Sequence, residues 1–267
     1  MSLAKQESSI HLRLAGPSHH QRDRHVALLM PEGLLAMTCL LSKKGEDTSM
    51  ELTVIKALTL SEAWWRCLQE CLAHGYEYTI TSGSSGTEGK KRKELDSIAI
   101  QITNPSIRPL VPDVPPGVPP PTSDEYLQNY LHYLLTSAKM PNEEYTYGEY
   151  LEPQFTEVVE MYKRGGHNTN QACMTVGDKD SLYLKDPPCL RLVDTRVRYD
   201  KLHWYVYFRS WDLWGAFPTN MGGLQLAKEM MADMIGVEDG ELFAFSKGLH
   251  IYDSEWDVAE MVVRRNE

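Results

Sequence analysis

The chain has 267 residues, of which 42% are hydrophobic and 24% charged, a composition typical of a globular domain with a sizeable core. It carries 27 lysines and arginines against 37 aspartates and glutamates, a formal net charge of −10. This balance argues against a broad nucleic-acid-binding face but leaves room for a local basic pocket. No apolar run approaches the roughly 18 residues of a membrane span, and the polar residues 1–6 are unlike a signal peptide. The sequence therefore predicts a soluble, cytoplasmic protein.

Residues 1–58 are interpreted as an amino-terminal extension whose role the sequence does not reveal, followed by one domain over residues 59–267. The extension mixes polar loops with three β-like runs, at residues 25–30, 37–42 and 52–55.

The first part of the domain predicts a helix, a loop and a strand. Apolar side chains recur at helical spacing between Leu60 and Leu72, and Gly75 marks the end of that helix. Residues 82–93, rich in glycine, serine and lysine, predict a mobile loop. The alternating run at residues 97–103 predicts a strand.

Eight of the 15 prolines lie between residues 105 and 121. A segment so rich in proline is extended and either links two domains or crosses a surface as a strap. The strap is favoured, because the segments on both sides look like parts of one fold.

The carboxy-terminal half predicts helices followed by a strand-rich region. Ser123, with Asp124 and Glu125 behind it, caps a helix, and a second helix is predicted after Pro153. Beyond them lie three predicted strands and one long helix, at residues 190–197, 202–208, 241–246 and 222–235 respectively. The predicted fold class is α+β.

The five cysteines are an odd number, which argues against a disulfide framework. No CxxC or HExxH motif occurs, so no metal site is predicted. Four of the thiols are expected to be small buried side chains: Cys39, Cys67, Cys71 and Cys173.

The densest set of reactive and polar side chains lies between residues 187 and 252. Its members, each beside a predicted strand or helix, are Cys189, Arg209, Ser210, Asp212, Asn220, His250 and Tyr252. A thiol needs a nearby cation to ionise at neutral pH, and Arg209 supplies a permanent one. Taken singly, each residue is more often structural. Their combination and order indicate a nucleophilic site that reads a polar heterocycle and a sugar.

This stretch resembles the thymidylate synthase family, particularly its shorter archaeal-type sequences. The resemblance lies in the order and separation of the motifs PPC, RSWD, FPTN and HIY, and Tyr147-Gly148 is similar to the family's Tyr-Gly motif. It implies a three-layer α/β fold around a twisted, mixed β-sheet that forms the interface of a homodimer. It also implies that residues 59–267 are a catalytic domain.

The resemblance implies methylation of dUMP to dTMP. Cys189 would add as thiolate to C6 of the uracil ring, and C5 would then attack the one-carbon unit of 5,10-methylenetetrahydrofolate. Arg209 would lower the pKa of the thiol and help to hold the nucleotide phosphate.

The remaining roles are also carried over from the family. Asn220 matches the asparagine that pairs with O4 and N3 of the pyrimidine, and Asp212 matches a residue that contacts the pterin. Tyr147 is assigned as a catalytic residue and Ser210 as a substrate-binding residue. His250 and Tyr252 match the pair that binds the deoxyribose hydroxyl. Glu125 is the candidate for a glutamate that organises water for proton transfer, with helix capping as the alternative.

The phosphate site departs from the family pattern. Three positions that carry phosphate-binding arginines in the family fall on Glu88, Asn170 and Gln171, which leaves Arg209. A basic run that includes Lys90 and Arg92 either compensates for them or is a solvated loop.

These departures keep two further functions open. One is a hydroxymethylase or methylase of the same superfamily that acts on a different pyrimidine-like substrate, with or without a phosphate. The other is a catalytically inactive homologue that binds a nucleotide.

Overall fold

The computed structural model describes residues 49–82, 86–139 and 144–265. They belong to one compact unit. The predicted β-like runs at 25–30 and 37–42, and Cys39, lie outside the described residues. The run at 52–55 is a strand of the main sheet, so this part of the predicted extension belongs to the compact unit.

The described residues form ten strands and five α-helices. The strands are β1 Leu52–Ala57, β2 Tyr76–Thr79, β3 Lys91–Leu95, β4 Ser97–Ile102, β5 Cys173–Thr175, β6 Leu190–Arg198, β7 Lys201–Phe208, β8 Trp211–Asp212, β9 Glu238–Ser246 and β10 Leu249–Tyr252. The helices are α1 Leu60–His74, α2 Asp124–Leu135, α3 Tyr147–Gly165, α4 Ala216–Ile235 and α5 Trp256–Arg265. In the described part of the chain, no helix is long and apolar enough to cross a membrane.

The strands form two mixed sheets. The larger has the order β1-β4-β9-β7-β6-β5 and the smaller the order β2-β3-β10-β8. β4 pairs antiparallel with β9, whereas β7 pairs parallel with β9. Mixed sheets combined with helices confirm the predicted α+β class.

The helix predicted from Leu60 is confirmed, and its ends follow from its sequence. Thr59 accepts a hydrogen bond from the Glu62 amide (3.1 Å), and the amide of Gly75 donates to the Cys71 carbonyl. Its apolar stripe, including Cys67 and Cys71, is buried in the core. Burial raises the pKa of the Cys71 thiol to about 12, as expected of an unreactive core cysteine.

Three predicted boundaries were wrong. The helix placed after Pro153 begins at Tyr147, because Thr146 caps it by accepting from the Glu149 amide (3.1 Å). The long helix begins at Ala216 rather than residue 222. The predicted loop 82–93 ends too late, because residues 91–93 belong to β3, which is hydrogen-bonded to a strand on each side.

The proline-rich segment 105–121 contains neither helix nor strand. Leu110 and Val118, which are 4% and 6% exposed, belong to the core, and Val111 and Val114 pack against it. Arg108 also pairs with Glu229 of α4 (2.7 Å). The segment is therefore fixed to the domain at several points.

Helices α2 and α4 pack closely because two consecutive glycines of α4 face α2. A β-carbon on Gly222 would lie 2.8 Å from Leu127 Cδ1, and one on Gly223 would lie 2.5 Å from Tyr130 Cδ1. No side chain larger than hydrogen fits at either position without movement of the facing residues.

A buried ion pair joins α4 to β9. The Lys228 side chain is completely buried, and its Nζ donates to Asp239 Oδ1 and to the Gly240 carbonyl, both at 2.5 Å. Gln225 Nε2 donates to the other oxygen of Asp239 (2.9 Å). The charge of the lysine is thus compensated inside the core.

Candidate active site

A cavity of about 440 Å³ lies where the turn before β6 meets β3, β10 and the residues that follow β7. It brings together eight of the eleven side chains predicted from the sequence: Arg92, Tyr147, Cys189, Arg209, Ser210, Asp212, His250 and Tyr252. The remaining three, Lys90, Glu125 and Asn220, lie elsewhere.

Cys189 is half-buried in this cavity and stands at the start of β6, where Arg209 holds the turn before it. The Arg209 amide donates to the Cys189 carbonyl (2.9 Å). Its guanidinium donates from Nε to the Pro188 carbonyl (3.1 Å) and from Nη2 to the Pro187 carbonyl and to Asp186 Oδ1 (3.3 Å). Arg209 therefore positions the cysteine as well as supplying charge.

The pKa of the Cys189 thiol is raised above its ordinary value, chiefly by burial. The Arg209 guanidinium acts in the opposite direction, as predicted, and the Asp186 carboxylate adds to the rise. Desolvation therefore outweighs the effect of the arginine on the pKa of this thiol.

Asp212 lies in the same cavity at the turn that leads into α4. Its Oδ1 accepts from the amides of Trp214 (3.0 Å) and Gly215 (3.4 Å). Burial nevertheless raises the pKa of this carboxyl, since two backbone donors do not fully replace water.

His250 lines the same cavity and is almost completely buried, and its Nδ1 lies 2.9 Å from the Gly248 carbonyl. A carbonyl only accepts, so Nδ1 carries the proton and Nε2 is an acceptor. Nε2 is buried and has no hydrogen-bond partner among the described residues. Burial lowers the pKa of His250 to about 4, so the ring is neutral at physiological pH and forms no salt bridge with Glu94.

The pairing of β3 with β10 brings Arg92 opposite Tyr252. Arg92 Nε donates to the Tyr78 hydroxyl, and its Nη2 lies 3.3 Å from Glu94 Oε2. Lys90 is exposed, with Nζ 5.6 Å from the centre of the Tyr252 ring. Of Lys90 and Arg92, the two residues named from the basic run, Arg92 lines the cavity and Lys90 does not.

The buried neutral His250 is expected to make stability depend on pH. Its pKa is about 4 in the folded chain against an ordinary 6.5, so the unfolded state binds the proton first as pH falls. About 3 kcal/mol of unfolding free energy should therefore be present above pH 6.5 and be lost progressively down to pH 4. Urea unfolding at several pH values should show a shallower loss in His250→Gln. The exposed His74 provides the control, since His74→Gln should follow the wild type; equal slopes in all three proteins would contradict the prediction.

Asn220 was predicted to read the pyrimidine beside Cys189, but its amide is held by other side chains. Oδ1 accepts from Trp211 Nε1 (2.9 Å) and Nδ2 donates to the Tyr130 hydroxyl (2.6 Å). Asn220 lines a second cavity of about 770 Å³, between α2, α3 and α4. Tyr147 lines both cavities, so the two sites adjoin.

Sequence reasoning missed Trp211 and Tyr130. An indole N–H only donates, so Trp211 fixes the orientation of the Asn220 amide. Tyr130 belongs to a run of tyrosines at helical spacing, with Tyr126 and Tyr133, that forms much of the second cavity. That aromatic stripe was the available signal.

Comparison with known proteins shows the family of this chain. The thymidylate synthase family model matches residues 153–267. A protein of Methanosarcina mazei named "Putative thymidylate synthase" is 30% identical over 217 residues, which cover 79% of this chain and 94% of that protein. This chain belongs to the thymidylate synthase family. A relative of the same name from Methanosarcina barkeri is 29% identical over 219 residues, with the same two coverages.

The fold is also that of the family. A solved structure of thermostable thymidylate synthase A from Bacillus subtilis matches with a TM-score of 0.58 at 13% sequence identity. The match covers 77% of this chain and 84% of that chain. The resemblance predicted from the sequence motifs is thereby confirmed for the family and for the fold.

Glu125, the candidate for the family's water-organising glutamate, is exposed in the first turn of α2 and lines neither cavity. A carboxylate in the first turn stabilises the helix by interacting favourably with the helix dipole. Its place therefore fits the alternative of helix capping and does not bring it near Cys189.

The three positions expected to carry the family's phosphate arginines do not line the Cys189 cavity either. Glu88 and Gln171 are exposed. Asn170 is also exposed, and its Oδ1 accepts from Arg196 (2.9 Å). Among the described residues, the guanidinium groups that reach the cavity are those of Arg92 and Arg209.

Proposed function

We propose that this protein methylates C5 of a uracil nucleotide, converting dUMP to dTMP, through a covalent adduct between Cys189 and C6 of the ring. The observation that carries the proposal is the cavity in which Cys189 lies with Arg209, Asp212 and His250. Membership of the thymidylate synthase family supports a methyl-transferring enzyme.

The first step requires the thiolate of Cys189. Its sulfur forms a bond to C6, and the electron pair of the C5=C6 bond moves to C5 and the conjugated O4. Arg209 favours the charged form of the sulfur electrostatically, while its bonds to the preceding carbonyls keep the attacking atom in place. Nucleophile and positioning group are therefore one connected unit.

His250 supplies an argument for a sugar. Its Nε2 is a buried acceptor without a partner among the described residues, and such an atom gains most from a hydroxyl donor. The Tyr252 ring stands 5.0 Å from the imidazole, nearly perpendicular to it. A deoxyribose hydroxyl donating to Nε2 satisfies this atom.

The aromatic second cavity suits the cofactor, 5,10-methylenetetrahydrofolate, which supplies the one-carbon unit and the hydride. The rings of Tyr130 and Tyr133 are stacked at 5.6 Å, and Tyr133 meets Tyr147 edge-on at 5.2 Å. Flat heterocycles bind well against such surfaces. These three tyrosines would hold the rings of the cofactor next to the Cys189 cavity.

The proposal is tested by tritium release from 5-tritiated dUMP in the presence of methylenetetrahydrofolate. Release should be accompanied by equal amounts of dTMP and dihydrofolate, because the cofactor provides both carbon and hydride. Absence of release, together with absence of dUMP binding by calorimetry, would exclude this function.

A second candidate is a methylase or hydroxymethylase for a non-phosphorylated pyrimidine. It is favoured by one observation: the Arg209 guanidinium is already paired with the Asp186 carboxylate (3.3 Å). Tritium release from 5-tritiated deoxyuridine but not from dUMP would favour this candidate. A hydroxymethylated product without dihydrofolate would favour the hydroxymethylase form of it.

We further propose that the protein is a homodimer joined through the open face of its six-stranded sheet, as the family implies. That face carries Tyr205 stacked on Phe243, with ring centres 4.6 Å apart, and Phe245, which is 40% exposed. Burying an apolar sheet face of this kind against a second copy of the chain removes its side chains from water, which is favourable.

Phe245→Lys is expected to convert the dimer to a monomer, because it places a charge in the proposed interface. Light scattering after size exclusion would show the mass fall by half. Met234→Lys on α4 changes a residue of similar exposure, 44%, outside that face and should leave the mass unchanged. A wild-type protein of 30 kDa in solution would contradict the homodimer.

A further inference from the structure

We propose that Asp186 sets the charge preference of the Cys189 cavity, because its carboxylate occupies the guanidinium that an anionic ligand would need. The inference depends on the proposed function only in treating this cavity as the substrate site. It assigns Asp186 as a specificity-determining residue.

The Arg209 guanidinium is surrounded by acceptors of its own chain. They come from three consecutive residues: the carbonyls of Pro187 and Pro188 and the carboxylate of Asp186. The two carbonyls belong to a rigid dipeptide and are fixed. The Asp186 side chain is 57% exposed and is free to turn into solvent. It is therefore the acceptor that an incoming anion would displace.

Arg92 is the other arginine that lines the cavity. Arg92 is also paired with a carboxylate of the chain, Glu94, at 3.3 Å, and that pair is more enclosed, with side-chain exposures of 20% and 22%. Both guanidinium groups that line the cavity therefore already have a counter-charge. Exchange is easier at Arg209, because its pair with Asp186 is more exposed to water, with side-chain exposures of 32% and 57%, and is therefore the weaker of the two.

The Arg209–Asp186 pair affects uncharged and anionic ligands differently. An uncharged ligand enters while the Arg209–Asp186 pair stays intact, so no charge is left without a partner. An anionic ligand has to break that pair before it can bind Arg209, and its net gain is reduced by the lost contact. Removing the carboxylate should therefore shift the preference of the cavity toward anions. Lys185 and Asp212 also line the cavity, and their charges stay the same in this comparison.

Alkylation of Cys189 tests this preference without any turnover. Iodoacetate is anionic and iodoacetamide neutral, and the Cys189 thiolate attacks the CH2 carbon of each and displaces iodide. The ratio of the two rate constants therefore cancels any change in the pKa of Cys189. The ratio should be measured at low ionic strength by mass spectrometry of the peptide carrying Cys189. We expect Asp186→Asn to raise the iodoacetate-to-iodoacetamide ratio roughly threefold to tenfold. Inorganic phosphate should also protect Cys189 at several-fold lower concentration in this variant.

Two variants separate the ion pair from a general charge effect. Asp186→Glu keeps the carboxylate and should stay within about twofold of the wild type. Asp180→Asn removes an exposed carboxylate of the same segment that pairs with Lys179 instead (2.6 Å), and it should leave the ratio unchanged. An unchanged ratio in Asp186→Asn, or an equal rise in Asp180→Asn, would overturn the proposal. Since no methylation is measured, failure of the proposed function leaves this result decisive.

Discussion

Cys189→Ser is expected to lower tritium release from 5-tritiated dUMP by about 10³-fold or more, because a serine hydroxyl is far less acidic and less nucleophilic than a thiol. The change replaces a sulfur atom with a smaller oxygen atom at a half-buried position and should leave the fold intact. Circular dichroism and the thermal midpoint would verify this.

Cys173→Ser is the matched control for this experiment. Cys173 was predicted to be a core residue, but it is exposed on β5, the edge strand of the larger sheet. The same substitution there should leave release within about twofold of the wild type, since surface changes of this kind have small effects. Comparable release by Cys189→Ser and Cys173→Ser would remove Cys189 from the proposed reaction.

Asp239→Ala is expected to lower the free energy of unfolding by about 3–5 kcal/mol, because it leaves the buried ammonium of Lys228 without its counter-charge. Guanidinium unfolding would measure the loss as a shift of the transition midpoint. Glu238→Ala, one residue away, removes a carboxylate that is 74% exposed and pairs with Lys201 at 2.9 Å. That control should lose about 1 kcal/mol or less.

A double variant checks the physical cause. Replacing both partners, Lys228→Met with Asp239→Leu, removes the buried charges together and should recover much of the stability lost in Asp239→Ala. If the double variant is less stable than Asp239→Ala, the desolvation of Lys228 is not the cause of the loss.

The fold could be predicted from the sequence wherever one apolar face is repeated. The apolar stripe of α1 and the Gly75 that follows it are local signals, and they predicted both ends of the helix correctly. β3 carries lysine, arginine and glutamate and is held by hydrogen bonds to two neighbouring strands. Its strand character depends on those partners, which its own residues do not specify.

The site shows the same division. Cys189, Arg209 and His250 stand in short motifs beside β6, β7 and β10, so their convergence followed from the motifs. The environment of Asn220 did not, because it depends on Trp211 and Tyr130, nine and ninety positions away along the chain. The pairing of Asp186 with Arg209 is likewise a tertiary contact that spacing alone does not reveal.

The close contact of Gly222 and Gly223 with α2 connects helix packing to ligand choice. Tyr130 touches Gly223, lines the aromatic cavity and accepts from Asn220. A single methyl group at residue 223, which lines neither cavity, would displace this phenol and release the amide. A substitution at residue 223 would therefore change the shape of the aromatic cavity through the packing of α2 on α4. The ligand preference of the protein can in this way depend on a residue that does not contact the ligand.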